Sequence, residues 1–266
     1  MSVLFKPGSV RLYAEERQQA IATQVKTRGR IVVSEAAEIY DVTTETVRRD
    51  LAVLERLGLL HRVHGGAVST NALTVIEPGL ADRHLVAGEQ KDRIAHAAMD
   101  LIPRHGGSVL LDAGTTTARL AAQLPELPSL TVVTNSVPIA AQLVTAANID
   151  VHVLPGRVRH STHAAVGPQT VNALRETRVD VAFIGTNALT AEYGLSTPDP
   201  DEAAVKSAMI AAGRRVVVLA DSSKLGQEQL SRFGTVDQMD VLITDDAADP
   251  RLIRRLESLD LEVVIA

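Results

Sequence analysis

The chain has 266 residues, 45% of them hydrophobic and 22% charged, which suits one medium domain or a small domain joined to a larger one. Six aromatic residues, none of them Trp, exclude single-stranded nucleic acid binding on rows of stacking side chains, and the lack of cysteine excludes disulfides, thiolate nucleophiles and Cys-based zinc sites. The net charge of −5 is uneven, since residues 1–70 hold ten Lys and Arg against eight Asp and Glu and the remainder holds 17 against 24.

In chain order, residues 14–26 predict a helix with Ile21 and Val25 on one face, ending near Gly29. Ser34 is a candidate N-cap for a short second helix through Tyr40, with Glu35 in its first turn. A third helix starts at Thr44, lines one face with Val47, Leu51 and Leu54, and stops at Gly58. Two β-prone runs around Gly65 and Gly66 then predict a hairpin over 59–68. Turn residues without a sustained period follow, so 14–70 reads as a first domain and 71–87 as a linker.

From 88 to 266 short apolar runs alternate with helical patterns. Strands are predicted at 109–112, 130–134, 151–154, 179–184, 215–220, 241–244 and 261–265, and helices near 88–102, 115–123, 137–146, 168–175, 201–213 and 250–259. Near-continuous Val, Ile and Leu strands separated by helices mean a doubly wound α/β domain with a largely parallel sheet.

Three constellations could carry chemistry. Thr44, Thr46, Arg48 and Arg49 on the third helix, after a turn and a shorter helix, fit a recognition helix in the DNA major groove, and Arg62 and His64 fit a wing beside it. A solvated helix face and ordinary hairpin residues are the plainer account of the same side chains. The second constellation lies at the strand ends, where an open parallel sheet binds ligands. There Gly114 followed by Thr115, Thr116 and Thr117 offers N–H groups and hydroxyls at a helix start, suited to a small phosphorylated ligand, with Asp112, Asn135 and Lys224 at neighbouring ends. Plain N-capping would also explain the threonines. Neither dinucleotide nor triphosphate loop motifs occur there, and no cofactor is expected. The third is Glu202 and Lys206 at i, i+4, which is either a surface ion pair or an acid and a lysine beside a sugar phosphate. His152, His160 and His163 suggest a metal only superficially, and His160 and His163 sit in an irregular segment with no carboxylate at ligand spacing, so no metal is expected.

The segment from residue 30, RGRIVVSEAAEIYDVTTETVRRDLAVLERLGLLHRVHGGAV, resembles the winged helix-turn-helix of the DeoR-type bacterial repressors of sugar operons. The later segments QKDRIAHAA, LLDAGTTT, VVTNS, DVAFIGTNAL, GLSTPDPDEAAVKSAMI and LADSSKLG resemble that family's C-terminal sensor in order and spacing. The resemblance implies a transcriptional repressor, not an enzyme. Its sensor would be similar to ribose-5-phosphate isomerase and CoA-transferase folds, and it would be released from double-stranded operator DNA by a phosphorylated sugar. It also implies a homodimer or homotetramer. By matching motifs, Thr46, Arg48, Arg49 and Arg62 face DNA, while Asp112, Gly114, Thr115, Thr116, Asn135, Gly156, Gly185, Glu202, Lys206 and Lys224 surround the effector. Pro155 stands where relatives often have Gly, as does Ala188. A sugar-phosphate isomerase with an appended DNA-binding module is the alternative, and it leaves the first 70 residues without a role. No leader-like start and no run of about 18 apolar residues is present, so a cytoplasmic protein without a membrane partner is expected.

Overall fold

The structure is a computed structural model that describes residues 13–28, 30–63, 65–69, 79–103, 106–127 and 129–266. The chain divides into two compact units, Met1–Thr74 and Val75–Ala266.

In the first unit the described elements are α1 (Ala14–Arg28), β1 (Arg30–Val32), α2 (Val33–Ile39), α3 (Thr44–Arg56), β2 (Leu60–Val63) and β3 (Gly66–Ser69). Ile21 and Val25 of α1, Val47, Leu51 and Leu54 of α3, and Leu60 and Ala67 of the hairpin are all buried, so one small core joins the helices to the strands. Thr43 caps α3 by accepting the Thr46 N–H at 3.2 Å. Two features differ from expectation. β1 adds a third strand to the predicted hairpin, in the order β1-β3-β2, because three residues are too short to show a period. The second helix starts at Val33 without a side-chain cap, and Ser34 is not its cap. β1 runs directly into the helix, and the carbonyl of Gly65 accepts the Val33 N–H at 2.7 Å, doing what a capping hydroxyl would do.

The second unit begins with α4 (Leu80–Leu85) and α5 (Gly88–Ala98), followed by β4 (Ser108–Leu111), α6 (Thr115–Ala121), β5 (Leu130–Thr134), α7 (Val137–Leu143) and β6 (Ile149–Val153). Next come β7 (Arg157–Val158), β8 (Ala165–Val166), α8 (Pro168–Arg175), β9 (Val179–Gly185), β10 (Ala188–Thr190), β11 (Gly194–Thr197) and α9 (Pro200–Ala212). The unit closes with β12 (Gly213–Leu219), β13 (Ser231–Gly234), β14 (Val241–Thr244), α10 (Pro250–Glu257) and β15 (Glu262–Ile265). Seven strands form a parallel sheet in the order β15-β14-β12-β9-β4-β5-β6. Alternate residues face opposite layers: Val181 and Phe183 of β9 meet α5, α6 and α7, whereas Ala182 and Ile184 meet α8 and α9. This is the doubly wound α/β fold expected from the alternating runs.

The three-stranded antiparallel sheet β10-β11-β13 and the β7–β8 pair are additional to the expectation. Part of the segment read as a linker, residues 71–78, lies outside the described residues, and the rest of it contains α4. Six residues show no period in the sequence, and α4 is held by tertiary contacts described below.

Candidate functional site

In the first unit Thr44, Arg48 and Arg49 are exposed on α3, opposite the buried Val47, Asp50, Leu51 and Leu54. The Thr46 hydroxyl lies 2.9 Å from that of Thr43 and is partly occupied with the cap. Arg48 pairs loosely with Glu45 at 3.7 Å, while Arg62 is clamped by Glu55, which accepts both its Nε–H and its backbone N–H at 2.8 Å. His64 lies outside the described residues. A buried pair fixes α3 against α1: Arg17 Nε donates to Asp50 Oδ2 at 2.6 Å and Gln18 Nε2 donates to Oδ1 at 2.8 Å.

In the second unit the sheet reverses its winding between β4 and β9, and a cleft opens there, at the C-terminal ends of the strands. It is small and is lined by Asp112, Ala113, Asn135, Ala164, Glu202 and Lys206. Asp112, 1% exposed, sits one residue past β4 and accepts the Gly185 N–H at 2.9 Å and the Thr117 hydroxyl at 2.8 Å. Lys206 Nζ completes the set by donating to Asp112 Oδ2 and, at 2.8 Å, to the Gly185 carbonyl, with its ammonium 5.5 Å from the Phe233 ring centre. Glu202 and Lys206 share a face of α9, as the i, i+4 spacing predicts, and that face points inward. Glu202 Oε1 accepts from Arg159 Nη1 at 2.6 Å and from the Thr162 hydroxyl at 2.5 Å. Asn135, 4% exposed, donates its amide to the Ala165 carbonyl at 3.0 Å, while its Oδ1 is buried without a hydrogen-bond partner among the described residues. A buried acceptor of this kind invites a donor from outside the chain.

Asp112, Asn135, Gly185, Glu202 and Lys206 are thus brought together. Gly114 abuts them, but its N–H donates to Thr117 Oγ1 at 2.9 Å, so it is used within the chain and is not free for an anion. A Cβ at Gly114 would stand 2.8 Å from Thr117 Oγ1 and 2.9 Å from Asp112 Oδ1, which explains the glycine. Thr115 and Thr116 are buried in the first turn of α6. Gly156 is elsewhere: it has φ +148°, and a Cβ there would meet Thr170 Oγ1 at 2.3 Å and the Val166 carbonyl at 2.7 Å, so packing at the β6–β7 turn accounts for it.

Lys224 lies near Lys91 and Asp221, at the end of β12. Lys91 is a site the sequence reading passed over. It is 4% exposed and donates to the carbonyls of Arg83 and Val86, both at 2.7 Å. Burial holds its pKa down to about 8, opposed by Asp221 and assisted by Lys224, Arg119 and Arg83. Burial, followed by Arg119, Lys91 and Arg83, also lowers the His84 imidazole. These shifts report burial first, and second the positive charge of Arg83, Lys91 and Arg119 gathered around α4 and α6. The stability consequence has a definite sign. Between about pH 8 and the ordinary lysine value of 10.5, the unfolded chain binds the Lys91 proton and the folded chain does not, so this group makes stability rise with pH across that window. Lys91→Met is expected to remove that rise in urea titrations run at pH 7.5, 9 and 10.5; an identical pH dependence in the variant would refute the assignment.

The family model described as the DeoR C terminal sensor domain matches residues 87–246, and that described as the DeoR-like helix-turn-helix domain matches 17–72. The chain belongs to the DeoR family. Among DeoR-family relatives, the HTH-type transcriptional regulator GlpR of Haloferax volcanii is 35% identical over 95% of this chain and 98% of its own length. The HTH-type transcriptional repressor GlcR of Bacillus subtilis is 30% identical over 96% and 97%, and the HTH-type transcriptional repressor CsqR of Escherichia coli is 30% identical over 96% of both. Among solved structures, ribose-5-phosphate isomerase A from Neisseria gonorrhoeae is similar at TM-score 0.38 and 17% identity over 54% of each chain. The eIF2B beta subunit from Chaetomium thermophilum is similar at TM-score 0.43 and 17% identity over 58% of this chain and 48% of that one. This DeoR-family protein is a transcriptional regulator and not an enzyme, and the isomerase alternative gives way because it accounts for neither the helix-turn-helix match nor the full-length likeness to regulators. No helix among the described residues is long and apolar enough to cross a membrane.

Proposed function

We propose that the protein represses a sugar-catabolism or sugar-uptake operon from the cytoplasm as a homo-oligomer, and that a phosphorylated sugar in the second unit releases it from operator DNA. The domains are then 14–70 for DNA, 71–87 for connection and 88–266 for sensing. The observation that carries the reading is the cleft itself, where the orphan Oδ1 of Asn135 can accept a sugar hydroxyl beside the internally bonded carboxylates of Asp112 and Glu202. The phosphate belongs with the first turn of α6, Thr115 and Thr116, and the cations Lys91 and Lys224 on the same C-terminal side of the sheet. In the first unit Arg49 is the exposed cation set to reach a base edge or a phosphate, and Arg62 reaches DNA by exchanging Glu55 for it.

Anisotropy of labelled duplex from upstream of the protein's own transcription unit, with sugar phosphates titrated into the complex, tests both halves. One sugar phosphate should release the protein where its unphosphorylated sugar does not. Tight binding indifferent to every compound would remove the effector assignment, and no binding at low salt would remove the DNA assignment. Arg49→Ala is expected to weaken operator binding by about 1–3 kcal/mol. An unchanged affinity would take Arg49 out of the interface.

A further inference from the structure

α4 lies between residues 72 and 87, in the stretch that neither family model covers, and it is the first described element after the DNA-binding unit. Hydrogen bonds from the β7–β8 loop, from α5 and from α6 hold it to the sensor unit. At its start, the Leu80 N–H donates to the Ser161 carbonyl at 3.1 Å. Ser161 is in the loop joining β7 to β8, and that loop is pinned to the cleft by Arg159 and Thr162, both on Glu202 Oε1, while Arg159 also reaches Asp199 at 3.1 Å. At its end, Lys91 Nζ holds the carbonyls of Arg83 and Val86, and Arg119 Nη2 holds that of His84 at 3.2 Å.

We propose that α4 is a strap whose docking on the sensor is tightened by the ligand and read by the DNA-binding unit. The proposal rests on the effector reading above and supplies its route. Two physical points give its direction. Lys91 uses two of its three protons on carbonyls, so an oxyanion can take the third without releasing α4. Burial, opposed by Asp221 and assisted by Lys224, Arg119 and Arg83, disfavours the charged ammonium that clamps the strap, and an oxyanion beside it offsets that penalty. A ligand on Glu202 likewise stiffens the loop that carries Ser161. Because the ligand releases DNA, the docked strap belongs to the form with weak operator affinity, and DNA in turn weakens ligand binding by the same factor.

The chain has no cysteine, so a single engineered pair can lock the strap. Leu80→Cys with Ser161→Cys in the full-length protein is expected to form a disulfide on oxidation, since the Leu80 N–H and the Ser161 carbonyl are 3.1 Å apart. The oxidised form is expected to bind operator about ten-fold or more weakly than the same protein reduced. Amide exchange over 80–86 should slow when inorganic phosphate replaces chloride at matched ionic strength in the wild type, and should be faster in Lys91→Met. Equal operator affinity in the oxidised and reduced forms, failure of the pair to cross-link, or exchange over 80–86 that ignores both phosphate and the Lys91 substitution would each overturn the strap. If the lock alters operator binding while no sugar phosphate does, the strap stands and the effector reading fails.

Discussion

Lys206→Met should lower the unfolding midpoint of the sensor unit by about 6–20 °C. Its ammonium is the only cation bound to Asp112 among the described residues, and the pair is deeply placed, with side chains 12% and 1% exposed. Removing one partner of a buried pair costs about 3–5 kcal/mol because the other charge stays buried and uncompensated. In a unit of this size each kcal/mol moves the midpoint by about 2–4 °C. The double variant Asp112→Asn with Lys206→Met should recover most of the loss, since Asn carries no charge and its Oδ1 still accepts the Gly185 N–H. Calorimetry of the three proteins decides the matter. If Lys206→Met alone melts as the wild type does, the pair is not the keystone of the cleft.

Gly66→Ala is expected to weaken operator binding strongly without touching the sensor. A Cβ on Gly66 would lie 2.0 Å from the Ile31 carbonyl oxygen and 3.1 Å from its carbon, and both are backbone atoms of the neighbouring strand. The strand must therefore separate from β1, opening the sheet and the small core beneath it. Overpacking of this kind costs about 1–3 kcal/mol or more. A unit this small has a stability on the order of 5 kcal/mol. Unfolding followed by circular dichroism should show the first unit's transition lowered or lost and the second unit's unchanged. A Gly66→Ala protein that binds operator normally would show that the β1–β3 contact is dispensable.

The large elements were legible because burial imposes period. Val47, Leu51 and Leu54 mark α3, and the runs 130–134 and 241–244 coincide with β5 and β14. What escaped is short or tertiary in origin: β1, the β7–β8 pair and α4 have two to six residues each and are defined by what they pair with. The cleft was legible to the same degree. Asp112, Asn135, Gly185, Glu202 and Lys206 stand at strand ends or on one helix face, where topology gathers them. Arg159 and Thr162 come from a stretch with no period, and no sequence signal pointed to them. Lys91 carried one: with Ile94, Ala95 and Ala98 it occupies the buried stripe of α5, where a lysine is out of place unless it holds something. Gly156 shows the converse, a glycine kept by close backbone packing in a segment that resembles a ligand loop.

The seam between β4 and β9 also bears on how the protein is made. Asp112 and the Gly185 N–H that it accepts are 73 residues apart, and Lys206 is 94 residues from the same carboxylate. The pairings of the first unit are local by comparison, with Leu60 facing Ser69 and Arg30 facing Val68. Contacts over long sequence separations close late, because loop entropy must be lost before they form. During synthesis the DNA-binding unit can therefore fold while the sensor is still emerging, and the cleft cannot assemble until the chain has passed Lys206. A nascent chain truncated before that point has a folded DNA-binding unit and no assembled sensor to govern it.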